Sequence, residues 1–222
     1  MYLPEEPQMT AMPQPSHMNE VPTWLDSDDD DFEYTFPLGP RPRPGALNRR
    51  LVRALLPCLR QIPTEEAVAS KPLELHLHLP LPPRLRFYIF LATQHESERQ
   101  VDTYRVQLTA GDAAAPKKFR FSRASSIRPV LMGYVAALDL FIIWDADVID
   151  AGGGFSYSQG VQAPPDLVYR ALAEGVADGT RHVRRAGTRE SIVVVRRSRL
   201  VDGLLRRIEL SNGALGRATT PC

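Results

Sequence analysis

The sequence predicts one α+β domain over residues 46–222, with a mixed, largely antiparallel sheet or a partly closed barrel and flanking helices, behind a disordered N-terminal arm of residues 1–45. Three observations point there. The periodicities run helix, about six strands mostly joined by short connections, helix, strand, helix, which is not the βαβ alternation of a parallel fold. The segment LELHLHL alternates strictly between apolar and polar residues, the mark of a half-buried strand. Proline and charge are also unevenly spread. Nine of the 20 prolines lie in residues 1–45, where nine acids stand against Arg41 and Arg43, a balance of −7; the chain totals +1, so residues 46–222 carry +8. An arm of that composition cannot bury enough apolar surface to offset the entropy of ordering.

Taken in order, residues 24–36 come first. They set Trp24, Leu25, Phe32, Tyr34 and Phe36 beside an acid cluster, and such an acidic-aromatic segment can dock on the chain's own basic face. The alternative is a solvated tail. Residues 46–62 repeat Leu47, Leu51, Leu55 and Leu59 every four positions between arginines, an amphipathic helix with a basic back that Pro57 should end or kink. Strands follow at 73–79, 84–92 and 103–109; in the third, Tyr104, Val106 and Leu108 face one way, Arg105 and Gln107 the other. The segment GDAAAPKKFRFSR reads as a turn with a basic hairpin tip. Residues 127–135 and 138–144 form a tight hairpin whose β-branched and aromatic content places it at the centre of the sheet. A glycine-rich loop with a short strand comes next. A helix then starts at Pro164-Pro165-Asp166 and runs to about Asp178, followed by a strand at 191–196 and a helix at 198–210.

Cys58 and Cys222 form no CxxC pair, which fits a reduced, cytoplasmic chain. No stretch reaches the run of roughly 18 apolar residues a membrane helix needs, and MYLPEEPQ has no signal-peptide pattern. No complete catalytic constellation is present, and no cofactor is called for. A metal nuclease needs acids and a lysine gathered around a divalent cation. Asp139, Asp145 and Asp147 flank a strand, but no basic partner stands near them in sequence, so they read as surface acids at strand ends. His76 and His78 share a strand face without further ligands and read as solvent-facing. His95, Glu96 and Ser97 lack an oxyanion hole, and GGGFSYS lacks the Gly-Lys-Ser/Thr step of a phosphate loop.

Arginine stands out instead. Between Arg170 and Arg217 there are eleven Arg against five acids, and Arg84, Arg86, Arg105, Lys117, Lys118, Arg120 and Arg123 fall on exposed strand faces and the hairpin tip. A basic face on a mixed sheet is the electrostatic footprint of a nucleic-acid binder, although arginine-rich helices can also simply face water.

Three stretches in this order, RFYIFLATQHESERQVDTYRVQL, PVLMGYVAALDLFIIWDA and FSYSQGVQA, resemble the methylase-associated domain found beside bacterial DNA methyltransferases and restriction enzymes. The match rests on His95, Glu98 and Arg99, on Tyr104 to Gln107, on Gly133, Tyr134, Asp139, Phe141, Trp144 and Asp145, and on Phe155 to Ser158 with Val161 and Gln162. It covers about residues 84–200. The resemblance implies a link to restriction–modification or a similar defence system and a partly open, DNA-binding pseudobarrel. It departs in one respect: about 85 residues precede the first family strand. On this reading the DNA-contacting residues are Arg86, Arg99, Arg105, Gln107, Lys117, Lys118, Arg120, Arg123, Ser156, Ser158 and Gln159, because Arg and Gln read base edges and small polar side chains near a glycine turn admit a phosphate. The expected partners are double-stranded DNA and a methyltransferase or restriction enzyme. Two functions from different classes follow: a non-catalytic DNA-binding accessory or specificity protein, its acidic arm mimicking DNA until duplex displaces it, or an interaction scaffold without DNA affinity. A metal-dependent nuclease is the weaker third.

Overall fold

The computed structural model describes residues 21–25, 32–35, 39–43, 45–94, 103–109, 119–121, 127–150, 154, 158–183 and 187–218. Strands β1 (Phe32–Thr35) and β2 (Gly39–Pro42) pair as an antiparallel hairpin. Helix α1 (Ala46–Leu55) buries Leu51, Val52 and Leu55, as the leucine spacing predicts, and Pro57 sits in the 3-10 turn Leu56–Cys58 that ends it. Its end seven residues short of 62 follows from that proline, which has no N–H to continue the helix. A short helix, α2 (Glu65–Ala69), is capped by the Thr64 side chain, which accepts from the Ala67 amide at 3.2 Å.

The sheet strands are β3 (Leu73–His76), β4 (Arg84–Leu91), the short β5 (Thr93–Gln94), β6 (Tyr104–Thr109), β7 (Arg128–Val135) and β8 (Leu140–Trp144). After them come α3 (Ala146–Asp150), β9 (Ser158–Ala163), α4 (Pro165–Glu174), β10 (Val176–Val183), β11 (Thr188–Arg196) and α5 (Leu200–Ala218). Six strands form one sheet in the order β10-β11-β8-β7-β4-β3, and β5-β6-β9 form a second. Only the β4–β7 pairing is parallel among these described ladders. The sheet is therefore mixed and largely antiparallel, and it is open, with β10 and β3 at its edges; among the described residues no closed barrel forms.

Strand alternation sorts the core into two layers. On one face Leu85, Phe87 and Ile89 of β4, Met132 and Tyr134 of β7, Phe141 and Ile143 of β8 and Val193 and Val195 of β11 pack under α1 and α5. On the other face Leu131, Ile142, Trp144, Ile192 and Val194 pack under Tyr104, Val106 and Leu108 of β6, Val161 of β9, and Leu167, Val168 and Ala171 of α4. The central strands are thus covered on both faces, which explains their continuous apolar runs. Gly133 lets the two sheets approach: a Cβ there would lie 2.8 Å from Val106 Cγ2 and 2.9 Å from the Trp144 ring.

Several boundaries differ from expectation. The helix starting at Pro165 ends at Glu174 rather than Asp178, because Gly175 takes φ 88, open to glycine and strained for other residues. The next eight residues become strand β10, which sequence reading missed: VADGTRHV has few strand formers and owes its conformation to pairing along all of β11. The ladder of β3 stops at His76, three residues before 79, although Leu77 stays buried and bridges to Leu59. Helix α5 continues to Ala218, well past 210. No described helix is long and apolar enough to cross a membrane.

Candidate functional site

The arm's described segments lie against the body. Leu25 and Phe32 are buried, and α1 holds them: Arg53 Nε donates to the Leu25 carbonyl at 2.8 Å, and the Arg50 guanidinium lies 5.0 Å from the Phe32 ring centroid. Arg50 also donates to Tyr134 Oη at 2.9 Å, and Tyr134 donates to Asp139 Oδ1 at 2.6 Å. Burial first, and the Asp139 carboxylate second, keep the Tyr134 hydroxyl protonated well beyond the ordinary tyrosine range. The basic back of α1 is therefore a docking surface for the chain's own first segment. The acid cluster at 26–31 lies outside the described residues.

Many arginines from Arg170 onward are paired within the chain, several of them at the surface. Arg197 Nε meets Asp139 Oδ2 at 3.0 Å, Arg206 pairs with Asp178 at 2.9 Å and Glu209 at 3.2 Å, and Arg199 pairs with Asp202. Arg196 donates to the Leu172 carbonyl. Two more arginines build a buried network at the end of β8. Arg207 Nη2 donates to Asp145 Oδ2 at 2.7 Å, the Asp145 amide donates to Glu190 Oε1 at 3.0 Å, and Arg181 Nε donates to Glu190 Oε2 at 2.6 Å. Asp145 Oδ1 accepts from the Asp147 amide at 3.0 Å, capping α3. Glu190 is wholly buried, and burial pushes its carboxyl up against the pull of Arg181. Burial likewise lowers the Arg207 guanidinium, while Asp145 supports its charge.

Of the three acids considered for a metal, Asp145 is thus buried rather than on the surface, with a basic partner 62 residues along the chain. Asp139 is held by Tyr134 and Arg197, and Asp147 is exposed on α3. The described residues contain no group of three or more His, Cys, Asp or Glu placed to hold a metal ion. His76 and His78 are both exposed.

The expected DNA-contact residues divide as follows. Arg99, Lys117, Lys118, Arg123 and Ser156 lie outside the described residues, and so does the Ser158 side chain. Arg86 stands on β4 and donates to Glu74 Oε2 at 3.0 Å beside Arg84, which grips the same carboxylate. Although burial acts to raise it, Glu74 sits below the usual carboxylate range, because both arginines favour its charged form. Arg105 and Gln107 lie on the outer face of the second sheet, opposite the buried Tyr104, Val106 and Leu108. The register pairs Arg105 with Gln162 and Thr93, and Gln107 with Gly160, so these share that outer face. Gly160 is exposed, and a Cβ there would meet nothing within 4 Å. Gln159 pairs with Leu108 instead, which turns it to the core side. Arg120 is exposed between Phe119 and Phe121, whose rings pack on Tyr88 of β4 at 6.0 and 4.9 Å. Gln162 was not picked out for contact by sequence reading, though its place two residues after Gly160 on a period-two strand could have found it.

No curated protein and no solved structure matches the chain. The family model described as Methylase-associated X1 matches residues 83–204, more than half of the chain, from just before β4 into the first turn of α5. The chain therefore belongs to the Methylase-associated X1 family, which links it to a methyltransferase or restriction–modification system.

Proposed function

We propose that this protein is a non-catalytic DNA-binding accessory or specificity protein, acting beside a DNA methyltransferase or restriction enzyme in a bacterial restriction–modification or defence system. The observation that supports it best is the outer face of the second sheet. There Arg105, Gln107 and Gln162 stand on one surface with an open step at Gly160. Arg and Gln are the side chains that read guanine and adenine edges bidentately, and a glycine step lets the phosphate backbone come close. In this reading Arg86, Arg99, Lys117, Lys118, Arg120, Arg123, Ser156 and Ser158 supply further DNA contacts, and the acidic arm, whose Leu25 and Phe32 seat on α1 across the central sheet from that face, competes with duplex for the chain's basic surface.

Fluorescence anisotropy with short duplexes, methylated and unmethylated, tests the proposal. Arg105→Ala and Gln107→Ala should weaken binding, by about 1–3 kcal/mol if either reads a base. Unchanged affinity in both would remove the sheet face from the account.

A second reading, an interaction scaffold without DNA affinity, is favoured by the arginines of residues 170–217. Those that would have made a basic footprint are in large part paired with Asp139, Asp145, Asp178, Glu190 and Asp202. Absence of duplex binding at low salt, with and without residues 1–44, would favour this reading over the first.

A further inference from the structure

Beyond the sheet face, a cavity of about 260 Å³ opens between α5 and the end of the central sheet, where β7 begins and β8 ends. That is below the roughly 300–1,000 Å³ of sites for drug-sized ligands, so a fragment-sized ligand fits it. Its polar lining is Arg128, Asp145, Asp147, Arg207 and Ser211. Two cations face two anions, so the cavity is charge-balanced and favours a neutral ligand over a phosphate or a metal cation. Pro129, Val130 and Ile208 supply apolar walls, and Trp144, at the end of β8, is among the lining residues while its ring packs into the layer under β6.

Arg207 adds a second, independent observation. A guanidinium has five N–H donors. The Ser191 carbonyl, Asp145 Oδ2 and Ser211 Oγ accept from its two Nη atoms, and Nε is buried with no partner. A buried donor without an acceptor is costly, about 1–3 kcal/mol. A ligand acceptor that reached Nε would remove that cost. Asp147 and Asp145 meanwhile offer carboxylate oxygens to a ligand N–H on the same wall.

We propose that this cavity holds a single unpaired nucleobase, a neutral planar heterocycle whose edge presents a hydrogen-bond acceptor beside a donor. The base is either that of a free nucleoside or one turned out of a duplex, which costs a few kcal/mol of stacking and pairing. The duplex source rests on the DNA-binding reading above; the free-nucleoside source does not.

The test uses the full chain carrying Trp24→Phe, which leaves Trp144 as its sole indole. Titration with 2-aminopurine deoxynucleoside should quench Trp144 saturably. Arg128→Ala should weaken binding about tenfold, the loss of one hydrogen bond to a charged donor. Ile208→Phe, which fills the cavity, should abolish it, and thermal unfolding checks that both variants are folded. In a second arm, 2-aminopurine sits inside a duplex, and its emission should rise on binding if the base leaves the stack. Quenching by the nucleoside without that rise assigns the free nucleoside as ligand. Absence of both signals overturns the proposal. Duplex binding by anisotropy with no emission rise, no nucleoside quenching and no effect of Ile208→Phe overturns the base pocket and leaves DNA binding standing. Nucleoside quenching without any duplex affinity does the reverse.

Discussion

Replacing Arg207 by Met probes the buried network directly. The side chains of Arg207 and Asp145 are 8% and 11% exposed, and their contact is 2.7 Å. Methionine keeps much of the stem's volume but leaves the Asp145 carboxylate buried without its cation. Removing one partner of a buried pair costs about 3–5 kcal/mol, because the remaining charge has lost both water and counter-charge. For a chain of this size each kcal/mol lowers Tm by about 2–4 °C, so the midpoint should fall by about 6–20 °C. The double variant Asp145→Asn with Arg207→Met should recover most of that loss, since Asn can still cap the Asp147 amide and no charge remains. Urea unfolding of the wild type and the two variants measures both. A single-variant loss under about 1 kcal/mol, with no recovery in the double variant, would show that the pair is effectively solvated and refute the reasoning.

Other predictions follow from single contacts. Gly133→Ala drives a methyl against Val106 and Trp144 and should cost about 1–3 kcal/mol by overpacking, read from urea unfolding followed by tryptophan emission. Gly160→Glu has open space and should leave Tm within about 1 °C while weakening duplex binding, because it sets a carboxylate on the sheet face. Phe32→Ala empties a buried site under Arg50 and Tyr134; limited proteolysis should then cut within the arm sooner, and duplex affinity should rise if the arm competes with DNA. For Glu190 the native carboxyl is raised above its unfolded value, so its contribution is present below about pH 4.3 and fades as pH climbs through the native value. The stability of the wild type relative to Glu190→Gln should therefore decline across that window, and a flat difference would contradict the shift.

Local periodicity made much of the fold legible. The leucine spacing of α1, the alternation of β3, the inward set Tyr104, Val106 and Leu108, and the apolar runs of β7 and β8 all report which face is buried, and the faces are buried as read. Strand β10 was not legible, because Asp178, Gly179 and Arg181 carry little strand preference and only the β11 ladder imposes the conformation. The separation into two stacked sheets was not legible either, since it depends on the close approach at Gly133. At the candidate site the sequence exposed the outward pair Arg105 and Gln107 through period two. It hid the partners of the acids. Asp145 finds Arg207, and Asp139 finds Arg197 58 residues away, pairings made by the sheet order rather than by any local spacing.

Duplex affinity measured over a salt series decides whether the protein binds DNA. The account predicts that log affinity falls linearly with log salt, with a slope of about −0.9 for each phosphate neutralised, that Arg105→Ala and Arg120→Ala shift the curve, and that a preference between methylated and unmethylated duplexes remains at high salt. Absence of binding even at low salt, with residues 1–44 removed as well as present, would contradict it.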